Sequence, residues 1–296
     1  MCAACCALRG LKIMKIQTFT ASALLLAMAS GVAFAKVTSH EAAKLGGELT
    51  MIGAQASGNK DGSIPGYSGG LKQDAKADQF SDVFADEKPL FTITAKNLEQ
   101  YKSKLTDGQI ALFKRYPKTY VMPIYKTHRS AAYPKRILAK AKKNAVSSEL
   151  ISSGNGLKNF DESIPFAIPK NGLEVIWNHV SRYRGNSVER TMSQFSVNSN
   201  GGYVPVVMKS TSALPQYLAD GYDAKKDDNI LFYYMQAIES PARLTGNVLL
   251  VHETIDQVSQ PRKAWSYNAG QRRVRRAPQI AYDAPAQASG GLRTAD

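Results

Sequence analysis

Cysteine is confined to one corner of this 296-residue chain: all three, Cys2, Cys5 and Cys6, lie within the first thirteen residues. Beyond residue 6 the sequence therefore excludes disulfides, a thiolate nucleophile and cysteine-ligated metals. Histidine is also scarce. His40, His128, His179 and His252 are far apart and show no ligand spacing, and His252-Glu253 lacks the second histidine of a zinc protease helix. No metal and no cofactor are expected. Long apolar runs are absent after residue 35, so no later segment reaches the ~20 residues of a membrane span. Acidic residues are in deficit: 24 Asp and Glu stand against 38 Lys and Arg, a net charge of +14. Nothing resembles a helix-turn-helix, a zinc finger or an aromatic-basic RNA platform, so nucleic acid is not the expected partner.

The one apolar run, Ala21–Phe34, follows Met14-Lys15 and ends in Ala33-Phe34-Ala35. A basic start, a short apolar core and small residues at the last and third-last positions make a secretory signal. Residues 1–35 read as a signal peptide, with 1–13 as a mis-called extension and Met14 as the true start. Cleavage would leave a cysteine-free chain starting at Lys36. The expected location is the periplasm, without a lipid anchor. The signal contains Arg9, Lys12 and Lys15 and no acid, leaving 35 basic against 24 acidic residues, a net of +11. Outside the cytoplasm the fitting anionic partners are lipid head groups, lipopolysaccharide or an acidic protein.

Residues 36–90 read as an irregular N-terminal segment, and 91–296 as one domain of helices followed by strands. A short helix over 39–49 capped by Ser39 is expected, then turns over the Gly- and Pro-rich Gly58–Gly70. Residues 94–116 read as helix from a Thr94 cap, broken near Thr106-Asp107-Gly108 and stopped by Pro117. The basic stretch Pro134–Lys143 is read as a solvated face or a binding patch. Asn171 and Glu174 have capping-box spacing ahead of the stripe Leu173, Ile176, Trp177 and Val180, which is either core or the lipid-facing side of a lid; Gly185 closes that helix. From residue 192 the period changes to two. Three hairpins, around Asn198–Gly202, Ser240-Pro241-Ala242 and Asn268-Ala269-Gly270, predict an antiparallel meander.

The middle hairpin is apolar on both faces: Ile230, Phe232, Tyr234 and Ile238 point one way, Leu231, Tyr233, Met235 and Ala237 the other. Such a sheet needs two covers, of which one is the chain's own helices and the other a second layer, a partner or an apolar ligand. Arg272-Arg273-Val274-Arg275-Arg276 reads either as an edge strand kept soluble by charge or as a site for carboxylate or phosphate. No catalytic constellation can be singled out, and an enzyme is not expected.

The runs Ile168–Glu174, Trp177-Asn178-His179, Arg182–Gly185, Pro241–Leu244, Val251-His252-Glu253 and Ala264–Pro278 resemble the domain-of-unknown-function family 1329 of proteobacteria, labelled outer-membrane lipoprotein-sorting protein. The resemblance runs from about Gly46 to the end. It implies an α+β fold similar to the lipoprotein-localisation carriers: a curved antiparallel half-barrel around an apolar cavity, lidded by helices. It implies no catalytic residues. Family members continue past Gly291–Asp296, so it also implies a chain truncated at its C-terminus with an open sheet edge. The function expected is a periplasmic carrier of a lipid or other hydrophobic molecule, with Trp177, Ile230, Phe232, Tyr234, Ile238, Leu250 and Trp265 in the cavity. Arg272, Arg273, Arg275 and Arg276 would meet a head group or partner. A resistance-nodulation-division transporter or an outer-membrane protein is the expected protein partner, with peripheral membrane contact. The alternatives are an accessory protein of an efflux-type transporter without a ligand and, third, a secreted hydrolase.

Overall fold

The structure is a computed structural model that describes residues 36–72, 81–218, 228–277, 280 and 283–295. The expected signal peptide and its cysteines lie outside the described residues. From Thr38 onward the chain forms an α+β unit built on a curved, six-stranded antiparallel sheet, a half-barrel rather than a closed one. Its strands are β5 (Ser187–Phe195), β6 (Pro205–Ala213), β7 (Ile230–Ser240), β8 (Val248–Thr254), β9 (Lys263–Asn268) and β10 (Arg273–Arg276), each paired with its sequence neighbour. Two small ribbons accompany it: β1 (Phe91–Ile93) with β2 (Met122–Ile124), and β3 (Glu149–Ile151) with β4 (Gly156–Lys158). Among the described residues five α-helices precede the large sheet: α1 (Ser39–Ala42), α2 (Leu98–Tyr101), α3 (Asp107–Arg115), α4 (Lys135–Ser147) and α5 (Gly172–Ser181).

The meander follows the expected hairpins, and the helices are shorter than periodicity predicts. Thr38, not Ser39, caps α1: its hydroxyl accepts from the Glu41 N–H and its own N–H donates to the Glu41 carboxylate at 2.9 Å. The helix ends at Ala42, and Gly46 at φ +88° turns the chain four residues later. Around α2 the Thr94 cap is also displaced. Asn97 folds back to accept from the Thr94 N–H, and the helix starts only at Leu98. Thr106 then makes a reciprocal capping box with Gln109 and starts α3, as the predicted break at 106–108 requires.

Within the segment read as irregular, 36–90, residues 45–52 pack against the rest of this unit without long elements. Leu45 joins Ala141, Ala145, Ile164 and Ala167 in a core cluster. Gly53 is required there: it sits at φ +87°, and a Cβ would lie 1.7 Å from the Ala167 carbonyl oxygen. Glu41 binds the Lys170 ammonium, so α1 is tied to the start of α5. The Lys170 bond is the largest cause, and the Thr38 N–H the second, of a Glu41 pKa held at about 2. An unfolded glutamate titrates near ~4.3. The tie therefore stabilises fully above that value and is lost as pH falls towards 2. Glu41→Gln is expected to lower the urea midpoint at neutral pH, and the gap to wild type is expected to close between about pH 4.5 and 2.

The basic stretch on α4 is neither a plain solvated face nor an open patch. Arg136 pairs with Glu162 and donates to the Asn186 side chain at 2.8 Å and the Tyr217 carbonyl at 3.2 Å. Lys140 and Lys143 share Asp161, at 2.9 and 3.5 Å. Next along the helix is Asn144, fully buried, which donates to the Asp161 and Ile164 carbonyls and accepts from the Asp161 N–H, all within 3.1 Å. Asn144→Ala strands three backbone groups. At ~1–3 kcal/mol for each buried group left unsatisfied, a loss of about 3 kcal/mol in denaturant-unfolding free energy is expected.

Candidate functional site

The sheet's curvature creates a concave face, and strand register decides which side chains reach it. Met192, Met208 and Ile238 are cross-strand partners on β5, β6 and β7. Ser212, Tyr234, Val251 and Ala264 form another such row, and Ser210, Gln236, Leu249 and Ser266 a third. Residues 284–295 fold back over this face. Their two arms are held by Ala286 N–H to the Arg293 carbonyl at 3.0 Å and Ala295 N–H to the Ala284 carbonyl at 2.8 Å. Gly290 and Gly291 turn the tip at positive φ. This strap is fastened to the sheet by polar side chains. Gln236 donates to the Gln287 side chain at 2.9 Å, Gln194 donates to the Gln287 carbonyl at 3.3 Å, and Arg293 donates twice to the Gln194 side-chain oxygen. Ala288 packs on the Val206, Met208 and Ile238 cluster.

Between sheet and strap lies a cavity of about 520 Å³. Its walls are mainly apolar, with Met192, Phe232, Leu249 and Val251 from the sheet facing Ile280 and Pro285. Polar side chains interrupt them, Ser266, Gln287 and Arg293 beside the two groups that follow. Tyr234 donates its hydroxyl to Gln236 at 2.6 Å, and burial raises the tyrosine's pKa. Glu253, 3% exposed, accepts from Arg262 Nε and Nη2, both at 2.5 Å, and from Gln257 at 2.9 Å. Pockets for small organic molecules fall in the ~300–1,000 Å³ range and combine apolar walls with a few fixed polar groups. Among the described residues no group of three or more His, Cys, Asp or Glu is placed to hold a metal, and no helix is long and apolar enough to cross a membrane.

A family model described as Protein of unknown function (DUF1329) matches residues 92–296. The chain belongs to this family. An uncharacterized protein of Pseudomonas aeruginosa is 52% identical over 290 residues, covering 97% of this chain and 63% of that protein. This DUF1329 chain thus spans somewhat less than two thirds of that relative's length. A crystal structure of a DUF1329 family protein from Desulfovibrio piger aligns over 36% of this chain and 38% of its own at 21% identity, with a TM-score of 0.26, too low to carry a structural argument.

The DUF1329 sheet brings together only some of the residues that its sequence nominates. Phe232 and Tyr234 line the cavity. Ile238 is buried beside it with Met208, and Ile230 is buried near the start of β7. Leu250 and Trp265 pair with each other on the opposite face, where Trp265 meets His252 edge-on at 4.8 Å and His252 meets Tyr233 at 4.7 Å. Their phase is set by the β7–β8 connection, which runs from Pro241 to Asn247 before β8 begins at Val248; from there the register to Phe232 is unbroken. Trp177 is no lid over the cavity. It is buried with Leu157, Phe166, Leu231 and Ile255, its indole N–H donating to the Gly154 carbonyl at 2.9 Å. Its stripe divides, for Leu173 is 46% and Ile176 59% exposed. The helix stops at Ser181, before Gly185. Arg273, Arg275 and Arg276 form the exposed edge strand β10, with Arg272 in the turn before it at φ +51°. Sequence reasoning missed the strap, the Glu253–Arg262 pair, Leu249 and Val251. The last two were legible as the alternate phase of the same run.

Proposed function

We propose that this protein binds and carries a lipid or other hydrophobic molecule in the bacterial cell envelope. The observation that supports it most is the apolar cavity between the concave face and the strap, with Phe232, Leu249 and Val251 as its walls. Each methylene buried there contributes ~0.8 kcal/mol before ordering costs, so an acyl chain reaches micromolar affinity without any chemistry. The N-terminal export signal and the basic balance of the sequence support a periplasmic location and contact with anionic membrane surfaces. A resistance-nodulation-division transporter or an outer-membrane protein fits as donor or acceptor of the cargo.

A second reading is an accessory module that binds protein and no small ligand. The opposite sheet face favours it: Tyr233, Leu250, His252 and Trp265 are half-buried, Met235 is 48% and Val274 65% exposed. Titration with the neutral apolar fluorophore N-phenyl-1-naphthylamine separates the two. A carrier gives saturable micromolar binding displaced by a long-chain alcohol; an accessory module gives none.

A further inference from the structure

A second, smaller hollow of about 150 Å³ opens on the same concave face, and it shares Phe232 and Tyr234 with the large cavity. Its walls include Arg184, Arg190, Ser210 and Ser212. Register explains the grouping. Arg190 pairs with Ser210 across β5–β6, and Ser212 pairs with Tyr234 across β6–β7, so these side chains project to one side. Arg184 arrives from the end of α5, where it donates weakly to the Val180 carbonyl at 3.4 Å. Neither guanidinium has a carboxylate at ion-pairing distance among the described residues, in contrast to Arg136 and Arg262. Burial, then the charges of Arg182 and Arg190, lower the Arg184 pKa, the behaviour of cations gathered without a counter-ion. Five-donor guanidiniums matched to hydroxyls suit a phosphate group, which offers several acceptor oxygens.

We propose that Arg184 and Arg190, with the hydroxyls of Ser210 and Ser212, form an anion site for the phosphate head of an amphiphile whose apolar part occupies the adjoining cavity. The proposal rests on the carrier reading and refines it. The cargo is an anionic phospholipid-like molecule, and the head group meets these two arginines rather than the β10 edge strand.

The test compares dodecyl phosphate, dodecanol and inorganic phosphate, using displacement of N-phenyl-1-naphthylamine for the first two and calorimetry for the third. Wild type is expected to bind dodecyl phosphate ten- to a hundredfold tighter than dodecanol, the scale of one or two charge-assisted hydrogen bonds. In Arg184→Gln/Arg190→Gln that preference is expected to vanish while dodecanol and the fluorophore bind unchanged. Arg273→Gln/Arg275→Gln should keep it. Equal wild-type affinities, a preference that survives the first double variant, or one lost only in the second would each overturn the anion site and leave the carrier reading standing. Failure of the fluorophore to bind sinks the carrier reading. If inorganic phosphate then still binds and is lost in Arg184→Gln/Arg190→Gln, the site takes a free anion and the lipid source is refuted.

Discussion

Arg262→Met is expected to destabilise the protein by about 3–5 kcal/mol, the usual consequence of stripping the partner from a buried charge. Glu253 is 3% exposed, and the Arg262 guanidinium supplies two donors to one of its carboxylate oxygens. Removing the guanidinium takes both of these donors from a carboxylate set in the wall of the cavity. For a domain of this size the loss corresponds to on the order of 10 °C in Tm. The paired replacement Glu253→Leu/Arg262→Met removes both charges and is expected to recover most of the loss, since apolar substitutes for a buried ion pair are often neutral or stabilising. Thermal and urea unfolding of the three proteins measures both effects. A single variant as stable as wild type would show that Glu253 is solvated and that the cavity wall is open to water there.

Leu249→Trp is expected to abolish uptake of an apolar ligand, with at least a hundredfold loss of N-phenyl-1-naphthylamine affinity and little change in stability. Leu249 projects from β8 into the cavity, with Gln236 and Ser266 as its cross-strand neighbours. An indole there fills empty space without displacing packed atoms, so the usual strain of overpacking a core is avoided. Phe232 is a poorer choice for the same purpose. It packs against both the Trp177 and the Ile137 clusters, and a charge at that position would undermine the fold itself. If Leu249→Trp binds the fluorophore as wild type does, the probe sits elsewhere, on the exposed opposite face.

The meander was legible because its turns are marked by Asn, Gly and Pro and its strands alternate over whole hairpins. The inward face of β7 was legible too, with Phe232 and Tyr234, but those of β8 and β9 were not. Phase must be carried across a loop, and the Pro241–Asn247 connection decides it for β8. Leu250 and Trp265 therefore looked like cavity residues, whereas Leu249 and Val251 line it. Among the expected caps Asn171 holds, whereas Ser39 and Thr94 give way to Thr38 and Asn97; α4, which starts after Pro134 without a side-chain cap, was not legible as a helix, and the apolar stripe of α5 overstated what it buries, as Leu173 and Ile176 show. The strap left no trace in the pattern. Residues 284–295 carry neither helical nor strand period and are held by side-chain amides of Gln194, Gln236 and Gln287. Arg262 likewise lies nine residues from Glu253, on the far side of a turn, where no spacing rule announces an ion pair.

Native mass spectrometry with lipid extraction, on protein purified from the cell envelope beside its Leu249→Trp variant, tests the central claim most directly. The account predicts a hydrophobic species bound to wild type and depleted from the folded variant. Wild type that is folded and empty, or a species retained equally by both, would contradict it.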